Sequence, residues 1–520
     1  MPLPKRFFEQ AETRADDVFL WFEGQEITLG ALAQAARQVT GFLERLDVAP
    51  DARIGVMLVN RPEFLAVWFG TSAAGMTLVP YNAALRGDDL QYQLWHSRTS
   101  VLFVEAALLS AIMPVLDRIE GLQIVVVGGD APTGTIPWKT VASSTPGALS
   151  DRLRDGEIME IVYTSGTTSR PKGVVWRYGL MSMIADILSH HLSLTNRDRL
   201  MVVLPLFHGN AQLSTAMTIM CGGSMLLVPR FSVSRFWDLA RAGGATEVNF
   251  LGPLVTMLHN QPPLDDDAEN PIRVAFSAAT PAPIHEAFEQ RFRLTIVEGY
   301  GLTETGINTA NPLNPARRKV GSIGLALPYN EVAILDEDLH ELGPGEPGEI
   351  CVRPTALSDG LMQRIEYVDD PGATATLWRG GWLHTGDEGI VDEEGFFTFL
   401  DRKKDVIRRR GENISSQQVE HVLSSHPSVA QSAVIGIPSE LGEEEVLAFI
   451  VPAGEVTAEE LAAYCLEHLA AFKVPEWYRF VDKLPLTPTG RVKKAVLKAT
   501  DGLTDSAINV NIANITRGTA

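Results

Sequence analysis

The run Tyr163-Thr164-Ser165-Gly166-Thr167-Thr168-Ser169-Arg170-Pro171-Lys172-Gly173-Val174 concentrates more potential chemistry than any other stretch of the chain. Its hydroxyls and the glycine at 166 supply donors that can fold around a phosphate chain, and Lys172 adds a positive charge. An apolar, β-leaning run from Ile158 to Tyr163 precedes it and a second one, Val174 to Trp176, follows, so it reads as a loop between two strands. No Gly-Lys-Ser/Thr step opens a helix here, which separates it from the P-loop of nucleotide hydrolases.

Five further stretches carry chemistry-bearing residues. Leu204-Pro-Leu-Phe-His208 lies past an apolar run, and Ser277-Ala278-Ala279-Thr280-Pro281 ends another with small side chains. Glu298-Gly-Tyr300-Gly-Leu-Thr303-Glu304 places a carboxylate after a glycine-rich turn. Magnesium prefers carboxylate and phosphate oxygens with retained water, so one well-placed Glu304 is chemically sufficient for it. Trp382-Leu-His-Thr385-Gly-Asp387 ends on a carboxylate, which can accept two hydrogen bonds at once. Near the end of the chain, Leu484-Pro-Leu-Thr-Pro-Thr-Gly490-Arg491-Val-Lys493-Lys494 is a turn-rich, basic segment.

In their order along the chain, these stretches resemble the motifs of adenylate-forming enzymes, the acyl-CoA synthetase, luciferase and adenylation-domain superfamily. The resemblance runs from about Pro4 to Ala499. That superfamily usually has glycine where Ser169 stands; serine there resembles the carnitine and crotonobetaine-CoA ligase branch, to which the whole chain is most similar. The resemblance implies that Thr164, Ser165, Gly166, Thr167, Thr168 and Lys172 hold phosphates. It also implies that Ala278, Ala279 and Tyr300 hold adenine, Thr303 the α-phosphate, Glu304 the metal, and Asp387 and Arg402 the ribose. His208 would border the acyl pocket, with Asn210, Ala211 and the Gly299–Leu302 stretch. Amino-acid-activating relatives tend to carry aspartate near that point, so His208 weakens an amino-acid substrate. Lys404 resembles the hinge about which a C-terminal domain rotates, and Gly411 the loop that then lines the pantetheine channel. The terminal catalytic cation of the superfamily is a lysine after glycine; here Arg491 stands there, with Lys493 as its competitor.

The implied activity is conversion of a carboxylic acid to an acyl-adenylate and then an acyl-CoA thioester, using ATP, Mg2+ and coenzyme A. Three rivals stay open: a luciferase-like oxygenase, an adenylating enzyme with another acceptor, and a nucleotide-binding pseudoenzyme.

Composition bounds these readings. A length of 520 residues allows two or three domains, and 45% hydrophobic with 21% charged residues is ordinary for a globular protein. A net charge of −20 excludes a general nucleic-acid binder, which needs a basic footprint. Three widely spaced cysteines predict no disulfide framework and a cytoplasmic, reducing location. The N-terminus lacks an apolar signal core. Met201 to Pro229 holds no Asp, Glu, Lys or Arg, yet Pro205, His208, Asn210, Gln212 and Gly222-Gly223 interrupt it, which predicts buried strands and a core helix rather than a membrane span. The expected partners are small molecules, and a homodimer stays open.

The elements that must position these residues follow from periodicity. Thr28 caps an amphipathic helix, Ile54–Val59 is an apolar run fit for a strand covered on both faces, and a helix is expected from Pro62 to about Ala74. Such alternation predicts an α/β domain over residues 1–400, built on a largely parallel sheet, with a β-rich part from Val320 to Phe399. The charged run Asp401–Gly411 marks a boundary. A small mobile α+β domain is expected over 401–500, with a disordered tail over 501–520.

Overall fold

The computed structural model describes residues 1–510 except 47, 117–118, 165–170, 363–364, 403–404, 406, 410–411, 439–443, 470, 487–491 and 501; for 402, 408, 412, 413 and 472 it describes the backbone alone. Ser165, Gly166, Thr167, Thr168, Lys404, Gly411 and Arg491 therefore lie outside the described residues, as does the side chain of Arg402.

Among the described residues the α/β part contains two large sheets rather than one. The first runs, edge to edge, through Leu325–Ala326, Gly306–Ala310, Thr295–Leu302, Val274–Ala278, Glu247–Leu251, Arg199–Val202, Ser224–Leu227, Val18–Phe22 and Gln25–Thr28. From Val18–Phe22 to Thr295–Leu302 its neighbours are parallel. The second centres on Arg53–Met57, parallel to Thr77–Pro80 and Thr99–Glu105, and its far edge is the antiparallel pair Ile158–Thr164 and Lys172–Arg177. Continuous apolar runs in parallel strands require cover on both faces. The helix Pro62–Ala73 helps provide it: ten consecutive residues, Phe64 to Ala73, are buried, as expected of a helix enclosed on all sides. Gly209–Cys221, inside the uncharged segment, is buried in the same way, so that segment is core. No helix of the described residues is long and apolar enough to cross a membrane.

Local signals hold where their chemistry is local. Thr28 Oγ1 accepts from Ala31 N–H at 3.2 Å and starts the helix Leu29–Arg45. Asn60, buried after the strand Arg53–Met57, joins the two sheets. Its amide donates to Leu204 O at 2.9 Å and Val228 O at 3.0 Å, and its carbonyl accepts from Leu206 N–H at 2.8 Å. The turn before His208 is thereby anchored to both sheets.

The β-rich part is an antiparallel sheet of Asn330–Leu335, Gly348–Pro354, Trp382–Val391, Trp378–Arg379 and Phe397–Arg402. Beyond it, Val429–Pro438 and Glu444–Pro452 pair antiparallel, Trp477–Phe480 adds in parallel, and the helices Ser416–Ser424 and Ala458–His468 pack on one face. A reciprocal capping box between Thr457 and Glu460 begins the second helix.

The charged run after Leu400 contains a buried side chain: Arg409 is 1% exposed, in the strand Ile407–Arg409, and forms ion pairs with Glu445 and Glu476. A guanidinium is buried only where carboxylates meet it. The tail expected to be disordered contributes the strand Ile508–Asn509, antiparallel to Trp477–Tyr478, and buries Val510 at 3% exposure.

Candidate active site

Three of the predicted site stretches fall where strands of the parallel sheets end. Thr164 closes Ile158–Thr164, Ala278 closes Val274–Ala278, and the Tyr300–Glu304 stretch begins inside Thr295–Leu302 and runs past its end. Carboxyl ends of parallel strands are the usual ligand-binding edge of open α/β sheets. Thr164 and Lys172 are the last paired residues of their hairpin, so the loop between them springs from that rung.

The turn after Val274–Ala278 is tightly made. Ala279 has φ +63°, in the left-handed region, and Thr280 N–H donates to the Glu298 carboxylate at 3.2 and 3.3 Å. Ser277 and Thr280 hydroxyls lie 2.6 Å apart. A Cβ on Gly252 would stand 1.9 Å from the Ala279 carbonyl oxygen, so glycine is required where the next strand end passes. Burial pushes the Glu298 carboxyl up to about 8, which leaves it neutral at pH 7.

Three contacts bring three motifs together. The Tyr300 hydroxyl donates to Asp387 Oδ2 at 2.8 Å, joining the strand end at 300 to the β-rich sheet. Arg402 stands opposite Asp387 in the adjacent ladder. The Tyr367 hydroxyl donates to Glu304 Oε1 at 2.8 Å, and the Lys172 ammonium lies 4.9 Å from the centre of the Tyr367 ring. Burial and the Glu304 charge raise the Tyr367 phenol well above its ordinary range, so it stays a donor. On the other side, Trp176 Nε1 donates to Thr303 O at 2.8 Å. The Lys172–Arg177 strand therefore reaches the Thr303–Glu304 turn through the indole, and Lys172 meets the phenol bonded to Glu304.

Tyr367, Trp176 and Asn60 were not singled out by sequence reasoning. For Tyr367 and Trp176 the only signal was an aromatic flanking a charged or strand segment. His208 stands at the start of the helix Gly209–Cys221, with its ring 4.5 Å from that of Phe207. Beside it Asn249 Nδ2 donates to Asn210 Oδ1 at 2.6 Å, tying that helix to the neighbouring strand. Lys493 is exposed, whereas Lys494 is committed to Glu420 at 2.9 Å and Ser416 Oγ at 2.5 Å.

The model of the AMP-binding enzyme family matches residues 7–362, and that of the AMP-binding enzyme C-terminal domain matches 418–491. The chain belongs to the AMP-binding enzyme family. A crotonobetaine/carnitine–CoA ligase of Salmonella arizonae is 32% identical over 487 residues, covering 92% of this chain and 94% of its own length. Among solved structures, ATP-bound MatB from Rhodopseudomonas palustris superposes with a TM-score of 0.85 at 26% identity, covering 96% of this chain and 98% of that one. Anthranilate CoA ligase AuaEII in complex with anthranoyl-AMP shares the fold, with a TM-score of 0.89 at 24% identity, covering 96% and 97% of the two chains. The AMP-binding enzyme described here is an ATP-dependent acid–thiol ligase of the AMP-forming acyl-CoA synthetase type. It takes an acid to an acyl-adenylate and on to an acyl-CoA.

Proposed function

We propose that the ends of the two sheets and the β-rich part form one nucleotide site, in which Tyr300 and Asp387 hold the nucleoside and Lys172, Thr303 and Glu304 the phosphates. The observation that carries this is the Tyr300–Asp387 bond together with Tyr367, which bonds Glu304 and lies against Lys172, so that three separate motifs adjoin. Ala278 and Ala279, on their tight turn, let a flat base approach the backbone. Asp387 accepts from the ribose hydroxyls, and Arg402, opposite it in the ladder, reaches the same sugar. Thr164, with Ser165, Gly166, Thr167 and Thr168, cradles the phosphate chain, and Thr303 meets the α-phosphate.

Glu304 offers an oxygen-only donor whose Oε1 is already oriented by a phenol, which fits a hard cation better than a soft one. It is the residue that would hold Mg2+, and the ion, when bound, offsets negative charge on the triphosphate.

In the first half-reaction the substrate carboxylate oxygen attacks the α-phosphorus, forming the acyl–phosphate bond as the bond to pyrophosphate breaks. Lys172 attracts the departing negative charge, and Arg491 stabilises the crowded phosphorus. In the second, the thiol of coenzyme A attacks the acyl carbonyl and AMP leaves. No side-chain nucleophile takes part; the residues position and stabilise charge. Rotation about Lys404 would bring Gly411 to the site for the second step, because one site serving two chemistries calls for two domain arrangements.

The acid enters on the His208 side. The buried Asn249 amide, bonded to Asn210, favours an acid bearing a hydrogen-bonding group over a plain hydrocarbon chain. The three thiols, none of them in a disulfide, suit the expected cytoplasmic setting. A panel of carboxylic acids, including carnitine and crotonobetaine, tests the reading. Pyrophosphate release should depend on the acid but not on coenzyme A, and AMP turnover on both. Release that ignores every acid would sink it.

A further inference from the structure

The ladder between Gly348–Pro354 and Trp382–Val391 contains a break beside the nucleotide site. Glu349 is opposite Glu388 and Cys351 is opposite His384, so Ile350 alone faces Thr385, Gly386 and Asp387. Those residues form a bulge on this side of Trp382–Val391, while Asp387 keeps its pairing with Arg402 on the other, and Gly386 adopts φ +71°, which glycine tolerates. A bulge re-aims side chains but forfeits regular ladder bonds, so something else must hold it.

Glu349 does so with both carboxylate oxygens. Its Oε1 accepts from Gly386 N–H at 2.9 Å, and its Oε2 lies 3.0 Å from His384 Nδ1. Thr385 Oγ1 completes the brace, donating to Ile350 O at 2.6 Å and accepting from Asp387 N–H at 3.1 Å. Glu349 and His384 are buried, at 5% and 8% exposure. His384 Nδ1 thus lies between the Glu349 carboxylate and the Arg379 guanidinium, and Arg379 faces that carboxylate at 3.7 Å.

This cluster also brings Glu349, Cys351 and His384 ligand atoms within 4.8 Å of one another. A guanidinium nitrogen of Arg379 stands 2.9 Å from His384 Nδ1, so the protein's own cation fills the place a metal ion would take. The cluster is a brace.

We propose that Glu349 is a positioning residue for ATP, stapling the Thr385–Asp387 bulge so that Asp387 faces the ribose. The inference rests on the reading of Asp387 as the ribose ligand. The Glu349–Gly386 bond and the Thr385–Asp387 bond fix the backbone on both sides of the glycine, and with it the direction of Asp387.

ATP binding by calorimetry on the full chain, with KM and kcat for ATP, tests this in Asp387→Ala, Glu349→Ala, Glu349→Asp, Glu349→Gln and the Asp387→Ala/Glu349→Ala double variant. Loss of the brace should weaken ATP roughly tenfold, the size of one hydrogen bond to a charged group, and raise KM while kcat stays within about twofold. Glu349→Gln keeps a carbonyl for Gly386 and a polar partner for His384, so it should recover most of the affinity. Glu349→Asp is too short to span both partners and should behave like alanine, which decides the matter if the alanine variant does not fold. In the double variant the losses should not add, since both act through Asp387. Wild-type ATP affinity in Glu349→Asp, or additive losses, overturns the inference. Wild-type affinity in Asp387→Ala overturns instead the ribose reading beneath it.

Discussion

The Tyr367 hydroxyl donates a hydrogen bond of 2.8 Å to Glu304 Oε1. The phenol is held from its backbone: Val368 N–H donates to Gly173 O at 2.8 Å and Val175 N–H to Glu366 O at 3.0 Å, so residues 366–368 lie as an extra strand beside the one that begins at Lys172. Tyr367 thus orients the proposed metal carboxylate and supports the phosphate lysine from one fixed point. Tyr367→Phe keeps the ring under Lys172 and removes only the hydroxyl. The expected result is an unchanged melting temperature with roughly tenfold more Mg2+ needed for half-maximal MgATP binding, since outer partners of metal ligands carry about that weight. Unchanged Mg2+ dependence would show that Glu304 is oriented without it.

Glu304→Gln and Asp387→Ala should separate metal from nucleoside. The first should abolish acid-dependent pyrophosphate release while the fold survives, because it removes a charge needed beside the triphosphate. The second should chiefly weaken ATP binding. Full adenylation by Glu304→Gln with intact magnesium dependence would refute the assignment.

Those contacts also show what the sequence could and could not disclose. The Thr28 cap and the strand expected at Ile158–Tyr163 were legible because caps and hydrophobic periods are local. The motif residues Tyr300, Glu304 and Asp387 were legible as types in order. Tyr367, Trp176 and Glu349 were not, because each acts across a sheet register that joins distant parts of the chain. Alternating strands and helices likewise announce parallel sheets without saying that the units divide between two of them. The burial of Arg409 depended on Glu445 and Glu476, which no spacing near it foretells.

Glu160 makes stability depend on pH. Burial, partly opposed by the neighbouring Gln212 amide, pushes its carboxyl up to about 8. The unfolded chain ionises the same group near about 4.3. Between those values the folded state holds a proton that the unfolded state has lost, so stability is complete below the lower value and declines as pH rises to about 8. Glu160→Gln should make the fall in melting temperature from pH 5 to pH 8 shallower. It should not abolish the fall, because Glu247 is also raised by burial to about 8. An identical slope in the variant would count against a neutral Glu160.

The three cations near the chain's end should differ in kind. Burial opposes the charge of the largely enclosed Lys494, but Glu420 and Asp401 outweigh it and raise its ammonium. Lys494→Met leaves the Glu420 carboxyl without its ammonium and should cost about 3–5 kcal/mol of stability. Arg491→Ala should lower adenylate formation selectively, leaving thioester formation from presynthesised acyl-adenylate and the melting temperature near wild type. Lys493→Ala should leave both half-reactions intact. Selective loss of adenylation in Lys493→Ala would transfer the catalytic role to that lysine.

The short strand Ile508–Asn509 has a practical corollary for handling this enzyme. It covers the open edge of Trp477–Phe480, and Val510 fills a place in the hydrophobic interior behind it. Trimming the chain at residue 500 would uncover hydrogen-bonding groups along that edge and leave an apolar hollow, the ingredients of edge-to-edge aggregation. Proteolysis that nicks the segment between Lys498 and Ile508 should be followed by precipitation rather than by clean release of a trimmed, soluble product.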